Sequence, residues 1–477
     1  MELTAEKQGT AQIERVFRLQ QKRSVLLRQE TVSARKERLK RLSIWLFANR
    51  ERVKKAVHQD FKKPLLEVDT TELYPIIAEI RHVLSHLDEW AAPSKIDATL
   101  SYLGTRSEIR YEPKGVCLII APWNFPFNLC IGPLISCLAA GNTAILKPSE
   151  LTPATSKLVA EMIPEIFSED EVAVIEGGIE EAAHLTSLPF DHIFFTGSPA
   201  VGKIIMKAAA ENLTSVTLEL GGKSPTIIDA TANLKDAAKR IAFGKFMNNG
   251  QTCIAPDYVM IGEKGRDEFL AALKHQVTET FGENGNITEH SGSYARIVNS
   301  KNFERINRLV QDAVQRGAKL EITGPVNEST RFIHPIVLSD VPLDAAIMEH
   351  EIFGPVLPII TFTSNAEVID LVNSKPKPLA LYIFSNDKSF REKILNQTSA
   401  GGVCINDCII QFTHPNLPFG GVNNSGIGKS HGRYGFLAFS NEKPVLRQKG
   451  GFASPYMLYP PYLPKMKKIV DLLLRWF

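Results

Sequence analysis

The sequence predicts an α/β chain built on two open sheets covered by helices, and three observations carry that prediction. From Val116 onward, short apolar runs at residues 116–120, 143–146, 172–175 and 192–195 alternate with helical stretches such as 155–163. After Glu219 the alternation restarts, with runs at 225–228 and 258–261, helical patterns over 234–248 and 266–281, and further units to about residue 406. Strands that alternate with helices form a parallel sheet with both faces covered. The third observation is size: 477 residues at 44% hydrophobic composition exceed one ordinary core, so at least two domains are expected.

Ahead of the first sheet the chain reads as helices. Its basic stretch from Arg35 to Lys55 carries Leu39, Leu42, Leu46 and Val53 near helical spacing, which marks an amphipathic helix with a solvated charged face. A net charge of +3, with acidic residues spread among basic ones, excludes the electrostatic footprint of a nucleic-acid binder. Leu100, Tyr102 and Leu103 before Gly104-Thr105, and Ile109 and Tyr111 after it, predict a hairpin within 99–112 that projects from the first domain. No Asp, Glu, Lys or Arg occurs from Gly115 to Leu146, a length that would suffice to cross a bilayer. Pro122, Pro126 and Pro133 interrupt the run, and Asn124, Asn128 and Asn142 would lack partners in lipid, so it reads as a buried strand, loop and helix.

The six cysteines, Cys117, Cys130, Cys137, Cys253, Cys404 and Cys408, form no CxxC pair and show no zinc spacing. A reducing compartment fits them, and no metal is expected. The first residues lack the apolar segment of a secretory leader, which makes cytoplasmic the default expectation. Beyond the Pro- and Tyr-rich stretch 454–464, residues 465–477 place Lys468, Asp471 and Arg475 on one helical face, with a broad apolar surface ending in Trp476 and Phe477. Such a helix is too short to span a bilayer of about 30 Å. It suits peripheral contact with a membrane headgroup region, or packing on its own protein or a partner subunit.

Chemistry enters with Glu219-Leu220-Gly221-Gly222-Lys223 and Asn249-Gly250-Gln251-Thr252-Cys253. A thiol can hold an acyl group covalently, and a carboxylate can activate the water that releases it. An unpaired cysteine is most often a core residue. Here the helical pattern from Arg240 to Met247 has ended and Gly250 leaves room, which puts Cys253 at a bend. Leu218 and Leu220 flank Glu219, and partial burial would raise its pKa toward useful basicity.

Further motifs stand at strand ends, where ligands meet open α/β sheets. Gly197-Ser198-Pro199 follows the strand at 192–196 with Ser198 as N-cap and Pro199 as first helical residue, a start that can hold a pyrophosphate or be an ordinary turn. The G-x-G-x-x-G fingerprint is absent, and the P-loop-like Gly197-Ser-Pro-Ala-Val-Gly202-Lys203 fails at Ile204, where a hydroxyl should hold magnesium. Asn124, in Pro122-Trp-Asn-Phe-Pro126, could donate to a developing oxyanion or stabilise a turn. Lys147-Pro148-Ser149-Glu150 could grip ribose hydroxyls or form a capped surface turn.

Together, Pro122-Trp-Asn-Phe-Pro126, Lys147-Pro-Ser-Glu150, Phe195-Thr-Gly-Ser198, Glu219-Leu-Gly-Gly-Lys223, Gly250-Gln-Thr-Cys253, Glu351-Ile-Phe-Gly-Pro355 and Pro418-Phe-Gly-Gly421 stand in the order and approximate spacing of the aldehyde dehydrogenase superfamily. The chain resembles that family from about residue 10 to 445. Gly244-Lys-Phe-Met-Asn248, Ala255-Pro-Asp-Tyr258 and Asn406-Asp407 look most like its class 3, or fatty aldehyde, branch. The resemblance implies a Rossmann-like NAD(P)-binding domain from residues 1–97 and 112–218 and a second open α/β catalytic domain from 219–410. Residues 98–111 and 411–450 would form a small β-hairpin bridging and oligomerisation element, and 451–477 a tail with the amphipathic helix.

The same resemblance implies homodimers, NAD or NADP as acceptor, and medium- to long-chain or aromatic aldehydes as substrates. Cys253 would be the nucleophile, Glu219 the general base, and Asn124 with the backbone N–H of Cys253 the oxyanion site. Gly197, Ser198, Pro199, Ala200, Val201 and Gly202 would hold the pyrophosphate, Lys147 and Glu150 the adenine ribose, and Glu351 and Phe353 the nicotinamide ribose and ring. Glu150 should repel a 2′-phosphate and favour NAD, whereas the class 3 branch implies tolerance of both. Asn423 departs from a usual glycine, though Asn accepts positive φ better than most residues. The alternatives are an acylating dehydrogenase that passes the acyl group to coenzyme A, a cofactor-free cysteine hydrolase, for which no local Cys–His signature appears, and a catalytically idle membrane-associated scaffold. Glu219 speaks against the first, because a water-activating base would waste the thioester.

Overall fold

The computed structural model describes residues 2–97, 99, 102, 104–448 and 459–476. Two open sheets organise them. The first runs Gly426–Ile427, Ser215–Glu219, His192–Thr196, Val116–Ile120, Thr143–Lys147, Val172–Val174, parallel except for the short edge strand Gly426–Ile427. Helices cover both faces, and the pleat divides the side chains between two cores. Cys117, Ile119, Leu146 and Phe194 pack with Leu42, Ile80 and Leu134 on one side. Val116, Leu118, Ile145 and Ile193 pack with Ile13, Val16 and Ile205 on the other.

The second sheet runs Lys319–Ile322, Ile336–Ser339, Val356–Phe362, Tyr258–Gly262, Pro225–Ile228, Ala380–Phe384, Gly402–Ile405, antiparallel only at Lys319–Ile322. It too separates two cores, with Ile227 and Met260 facing one and Ile228 and Val259 the other. A three-stranded antiparallel sheet stands apart from both. In it Thr105–Pro113 pairs with Ser94–Ile96 on one side and with Ser440–Gln448 on the other.

Several elements differ from the sequence reading. Ser94–Ile96 pairs antiparallel with Thr105–Pro113, whereas the first arm of the hairpin expected before Gly104 falls on Leu100 and Leu103, which lie outside the described residues. The helix expected across Arg35 to Lys55 divides at Asn49 into Val32–Ala48 and Arg50–Phe61, with Leu39, Leu42, Leu46 and Val53 all buried as expected. Pro133 does not break the charge-free run: the helix Asn128–Ala140 continues through it, buried over most of its length, with Pro133 itself half-buried. The helix Leu234–Phe246 stops short of the predicted end because Asn248 and Asn249 turn left-handed, with φ of 53° and 56°. The terminal helix spans Pro464–Trp476, with Leu472 and Leu474 exposed. Among the described residues no helix is long and apolar enough to cross a membrane.

Candidate active site

The order of the first sheet fixes where a ligand can sit. Chain order climbs outward from Val116–Ile120 through Thr143–Lys147 to Val172–Val174, and in the other direction from His192–Thr196 to Ser215–Glu219. The direction reverses between Val116–Ile120 and His192–Thr196, and the crevice beyond the strand ends at such a reversal is the ligand site of open α/β sheets. Asn124, Ser198 and Glu219 all follow or end strands at that edge. Beside it lies a cavity of about 400 Å³ whose wall includes Glu219, Thr252, Cys253 and Ser430.

Cys253 reaches the cavity through an unusual backbone. Asn248, Asn249 and Gly250 adopt left-handed φ in succession, with Gly250 at 71°. A Cβ on Gly250 would stand 2.2 Å from the carbonyl oxygen of Gly354, so only glycine fits. Such strain persists only where surrounding contacts enforce it. Here Gln251 donates to the carbonyls of Asn248 and Arg296 at 3.0 and 2.9 Å, and Asn249 donates to that of Ala295 at 2.8 Å. The Asn248 amide side chain donates to the carbonyls of Asn124 (2.9 Å) and Gln251 (3.1 Å).

Asn124 is joined to the same loop. Its side-chain Nδ2 donates to the carbonyl of Gln251 at 3.1 Å, which fixes the amide and leaves its second N–H unused by that bond. Behind it stands a pair absent from the sequence reading: Lys63 and Glu72, both fully buried, 2.6 Å apart. Lys63 also donates to the carbonyl of Asn124 (3.2 Å), and Glu72 accepts from the backbone N–H of Asn128 (2.8 Å). Glu67 accepts from the N–H of Asn248 at 2.9 Å, and burial raises its carboxyl to about 7. A π-helical turn, Asp69–Leu73, presents Glu72, and such turns are frequent at functional sites.

On the cavity side, Glu219 is buried at the end of its strand. Its Oε1 accepts from Ser430 Oγ at 2.9 Å, and its Oε2 has no hydrogen-bond partner among the described residues. Burial pushes its carboxyl up to about 8, against the opposing pull of Ser430 and Lys429. The Cys253 thiol is likewise pushed well up by burial, and further by the Glu351 and Glu219 carboxyls, while the N–H groups of Cys253 and Ile254 favour the thiolate. Glu351 lies against the turn after Glu219, where a Cβ on Gly221 would meet its carboxyl at 2.2 Å; burial raises it to about 8. Phe353, at φ 46°, sets its ring edge to face on Trp123, centroids 5.2 Å apart. Lys223 anchors this side by donating to Asp257 (2.6 Å) and to the carbonyls of Ile347 and His350.

The helix Pro199–Glu211 opens at the crevice, with the Ser198 hydroxyl accepting from Val201 N–H and Gly202 N–H bonded to the Ser198 carbonyl. Its first turns expose Val201 and Ile204. One strand beyond, the buried Lys147 amine donates to the carbonyl of Pro148 at 2.8 Å and lies 3.7 Å from the exposed Glu150. A helix N-terminus for an anion, an apolar shelf for a base and a Lys–Glu pair for hydroxyls make a donor set that fits a dinucleotide.

Comparison with known proteins decides the lineage. The model of the aldehyde dehydrogenase family matches residues 3–445. This chain belongs to the aldehyde dehydrogenase family. It is 44% identical over 438 residues to the 4,4′-diaponeurosporen-aldehyde dehydrogenase of Staphylococcus aureus, covering 92% of this chain and 94% of that one. It is 42% identical over 407 residues to aldehyde dehydrogenase family 3 member A2 of Rattus norvegicus, covering 85% and 82%, which supports the class 3 branch. The substrate-bound state of Staphylococcus aureus AldH superposes with a TM-score of 0.92 at 42% identity, covering 97% and 99%. A Mycobacterium tuberculosis aldehyde dehydrogenase complexed with NAD+ superposes at 0.80 (29% identity, 89% and 87% covered). Glyceraldehyde-3-phosphate dehydrogenase from Methanocaldococcus jannaschii, complexed with NADP, superposes at 0.84 (25% identity, 92% and 95% covered). The protein is an oxidoreductase acting on aldehydes.

Within this aldehyde dehydrogenase, the residues absent from the sequence reading are Lys63, Glu67 and Glu72 behind the loop and Lys429 and Ser430 beside Glu219. A signal existed for the last two, in the glycine-rich Gly426-Ile-Gly-Lys-Ser-His-Gly432 that follows Pro418-Phe-Gly-Gly421. For Lys63, in the link between the helices Arg50–Phe61 and Leu65–Val68, and for Glu72 none existed, because charged residues in a polar stretch read as solvated.

Proposed function

We propose that the protein oxidises medium- to long-chain aliphatic or aromatic aldehydes to carboxylic acids, with NAD or NADP as acceptor. The observation that carries this reading is one cavity whose wall holds both Cys253 and Glu219 while most of the remainder, including Phe125, Leu129, Phe243 and Met247, is apolar. The aldehyde named for the staphylococcal relative supports a lipophilic substrate.

Cys253 attacks the aldehyde carbon as its thiolate, giving a thiohemiacetal whose oxyanion takes the second Asn124 amide N–H and the N–H of Cys253. Gly197 to Gly202, Lys147, Glu150, Glu351 and Phe353 would hold the dinucleotide, which when bound accepts the hydride that the thiohemiacetal carbon gives up. A thioester remains on Cys253. Glu219 Oε2, the carboxyl oxygen not held by Ser430, then takes a proton from water, which hydrolyses the thioester. The test is NAD with decanal, followed by absorbance of the reduced nicotinamide, with Cys253→Ala as control; absence of turnover by the wild type sinks the reading.

Two finer expectations travel with it. Homodimers would use the three-stranded sheet, where Ile96 and Leu446 are exposed on its outer strands, and light scattering on purified protein tests this. The helix Pro464–Trp476, with exposed Leu472 and Leu474 beside Lys467 and Lys468, would give peripheral membrane contact. Deleting residues 465–477 then lowers liposome binding or activity on long-chain aldehydes while sparing short ones; unchanged behaviour returns the segment to a packing role.

A further inference from the structure

The cavity that holds Cys253 and Glu219 has a second polar station that the mechanism does not use. The helix Tyr74–Ala91 forms one wall and faces the cavity through Tyr74, Ala78, Glu79 and His82. Glu79 and His82 stand three apart, so they share one helical face. Glu79 Oε1 accepts from the backbone N–H of Gly432 at 2.7 Å. His82 Nε2 is buried and has no hydrogen-bond partner among the described residues. The two side chains converge on the same glycine: a Cβ on Gly432 would stand 3.4 Å from His82 Nε2, next to the N–H that Glu79 holds.

A buried polar atom left without a partner costs about 1–3 kcal/mol, and native structures rarely tolerate it without a reason. This one belongs to His82, a residue in the wall of the cavity that holds Cys253 and Glu219. We propose that Glu79 and His82 bind a hydroxyl group that the substrate carries remote from its aldehyde, so that hydroxylated aldehydes are selected over hydrocarbon ones of equal length. The inference rests on the aldehyde-oxidising reading above and names the substrate class for it.

A hydroxyl fits because it donates and accepts at once. It can donate to the Glu79 oxygen that Gly432 does not hold and accept from an N–H at His82 Nε2. With the opposite protonation it accepts from a neutral Glu79 carboxyl and donates to the bare Nε2, and burial, which raises Glu79 to about 7, keeps both arrangements open near neutrality. An ammonium group, which only donates, fits the station only when Glu79 is ionised and Nε2 is bare, whereas a hydroxyl fits either protonation. His431, held to about 4 by burial and stacked on Phe419, adds no charge to the station. Ser430, which bonds Glu219, precedes Gly432 by two residues, so their Cα atoms are at most about 7 Å apart. Glu79 and His82 therefore share the cavity wall with the Ser430 that bonds Glu219.

The experiment measures kcat/KM with NAD for matched pairs: alkanals from hexanal to dodecanal against their ω-hydroxy forms, and cinnamaldehyde against 4-hydroxycinnamaldehyde. Wild type, Glu79→Met and His82→Leu are compared. The expected result is a preference of about tenfold for the hydroxylated partner at one chain length or in the aryl pair, falling toward unity in each variant. The arm in which the preference appears tells an ω-hydroxy chain from a phenol. The ratio is internal to each enzyme, so a loss of folded protein lowers both rates and leaves it unmoved. Equal or poorer use of every hydroxylated partner by the wild type, or a preference that survives both substitutions, overturns the subsite. Failure to oxidise any aldehyde is a different outcome, and it overturns the reaction and the subsite together.

Discussion

Two sets of buried ionisable groups flank Cys253, and they are built on opposite terms. Behind the loop, Lys63 and Glu72 are fully buried, 2.6 Å apart, and their further bonds go to the backbone of Asn124 and Asn128. In front, Glu219 has one oxygen held by Ser430 and the other without a partner among the described residues, and the thiol of Cys253 is pushed up rather than stabilised as an anion. A satisfied pair locks backbone in place. An orphaned carboxyl with a raised pKa is a group held ready to exchange protons. The difference separates the residues that hold the site from those that act in it.

The sharpest way to break this comparison is to remove the acting carboxyl. Glu219→Gln should lower steady-state turnover by roughly 10²–10⁴-fold while keeping a burst of reduced cofactor, since only release of the acyl group depends on it. Stopped-flow absorbance reads both phases, and normal steady-state turnover would falsify the role. Asn124→Ala should cost about 10²–10³-fold in kcat and abolish the burst, because the oxyanion forms before hydride leaves. A retained burst would move the oxyanion site elsewhere.

The holding set answers to a different measurement. Lys63→Met leaves the Glu72 carboxylate buried and alone, which should destabilise the fold by about 3–5 kcal/mol in urea denaturation. Replacing Glu72 with Met as well removes the stranded charge, so the double variant should recover most of that loss. Equal loss of stability in the single and double variants would mean that Lys63 and Glu72 are not a pair in solution.

How far the sequence foretold these two sets differs as sharply as their chemistry. The strands Val116–Ile120 and Pro225–Ile228 and the helix Arg266–Phe281 were legible to the residue, because burial on both faces or one stripe writes a periodic signal. Cys253 and Glu219 stood out by their glycine-rich neighbours, and the structure brings them to one cavity. Lys63 was not legible: its partner on the Asn124 carbonyl lies 61 residues away, and nothing local distinguishes it from the solvated lysines around it. Ser430 reaches Glu219 across 211 residues. The helix before Asn248 ends earlier than its pattern because tertiary contacts override local preference at the left-handed Asn248 and Asn249.

The smallest effect tests whether the acting carboxyl is truly unpaired. Burial raises Glu219 from 4.5 to about 8, so in the folded protein it keeps a proton that the unfolded chain has already lost across that window. More protons bound in the folded state means that stability falls as pH rises from about 4.5 to about 8. Glu219→Gln cannot ionise and escapes that fall, so at pH 9 it should be more stable than the wild type by about 1–2 kcal/mol, and equal to it near pH 4. Activity runs the other way, since the base works only as carboxylate and turnover rises with pH through about 8. Ser430→Ala removes a bond that favours the carboxylate and should carry that activity limb to higher pH. A Glu219→Gln protein no more stable than wild type at pH 9 would mean the carboxylate finds a partner in solution, and the two sets of buried charges would then differ in degree and not in kind.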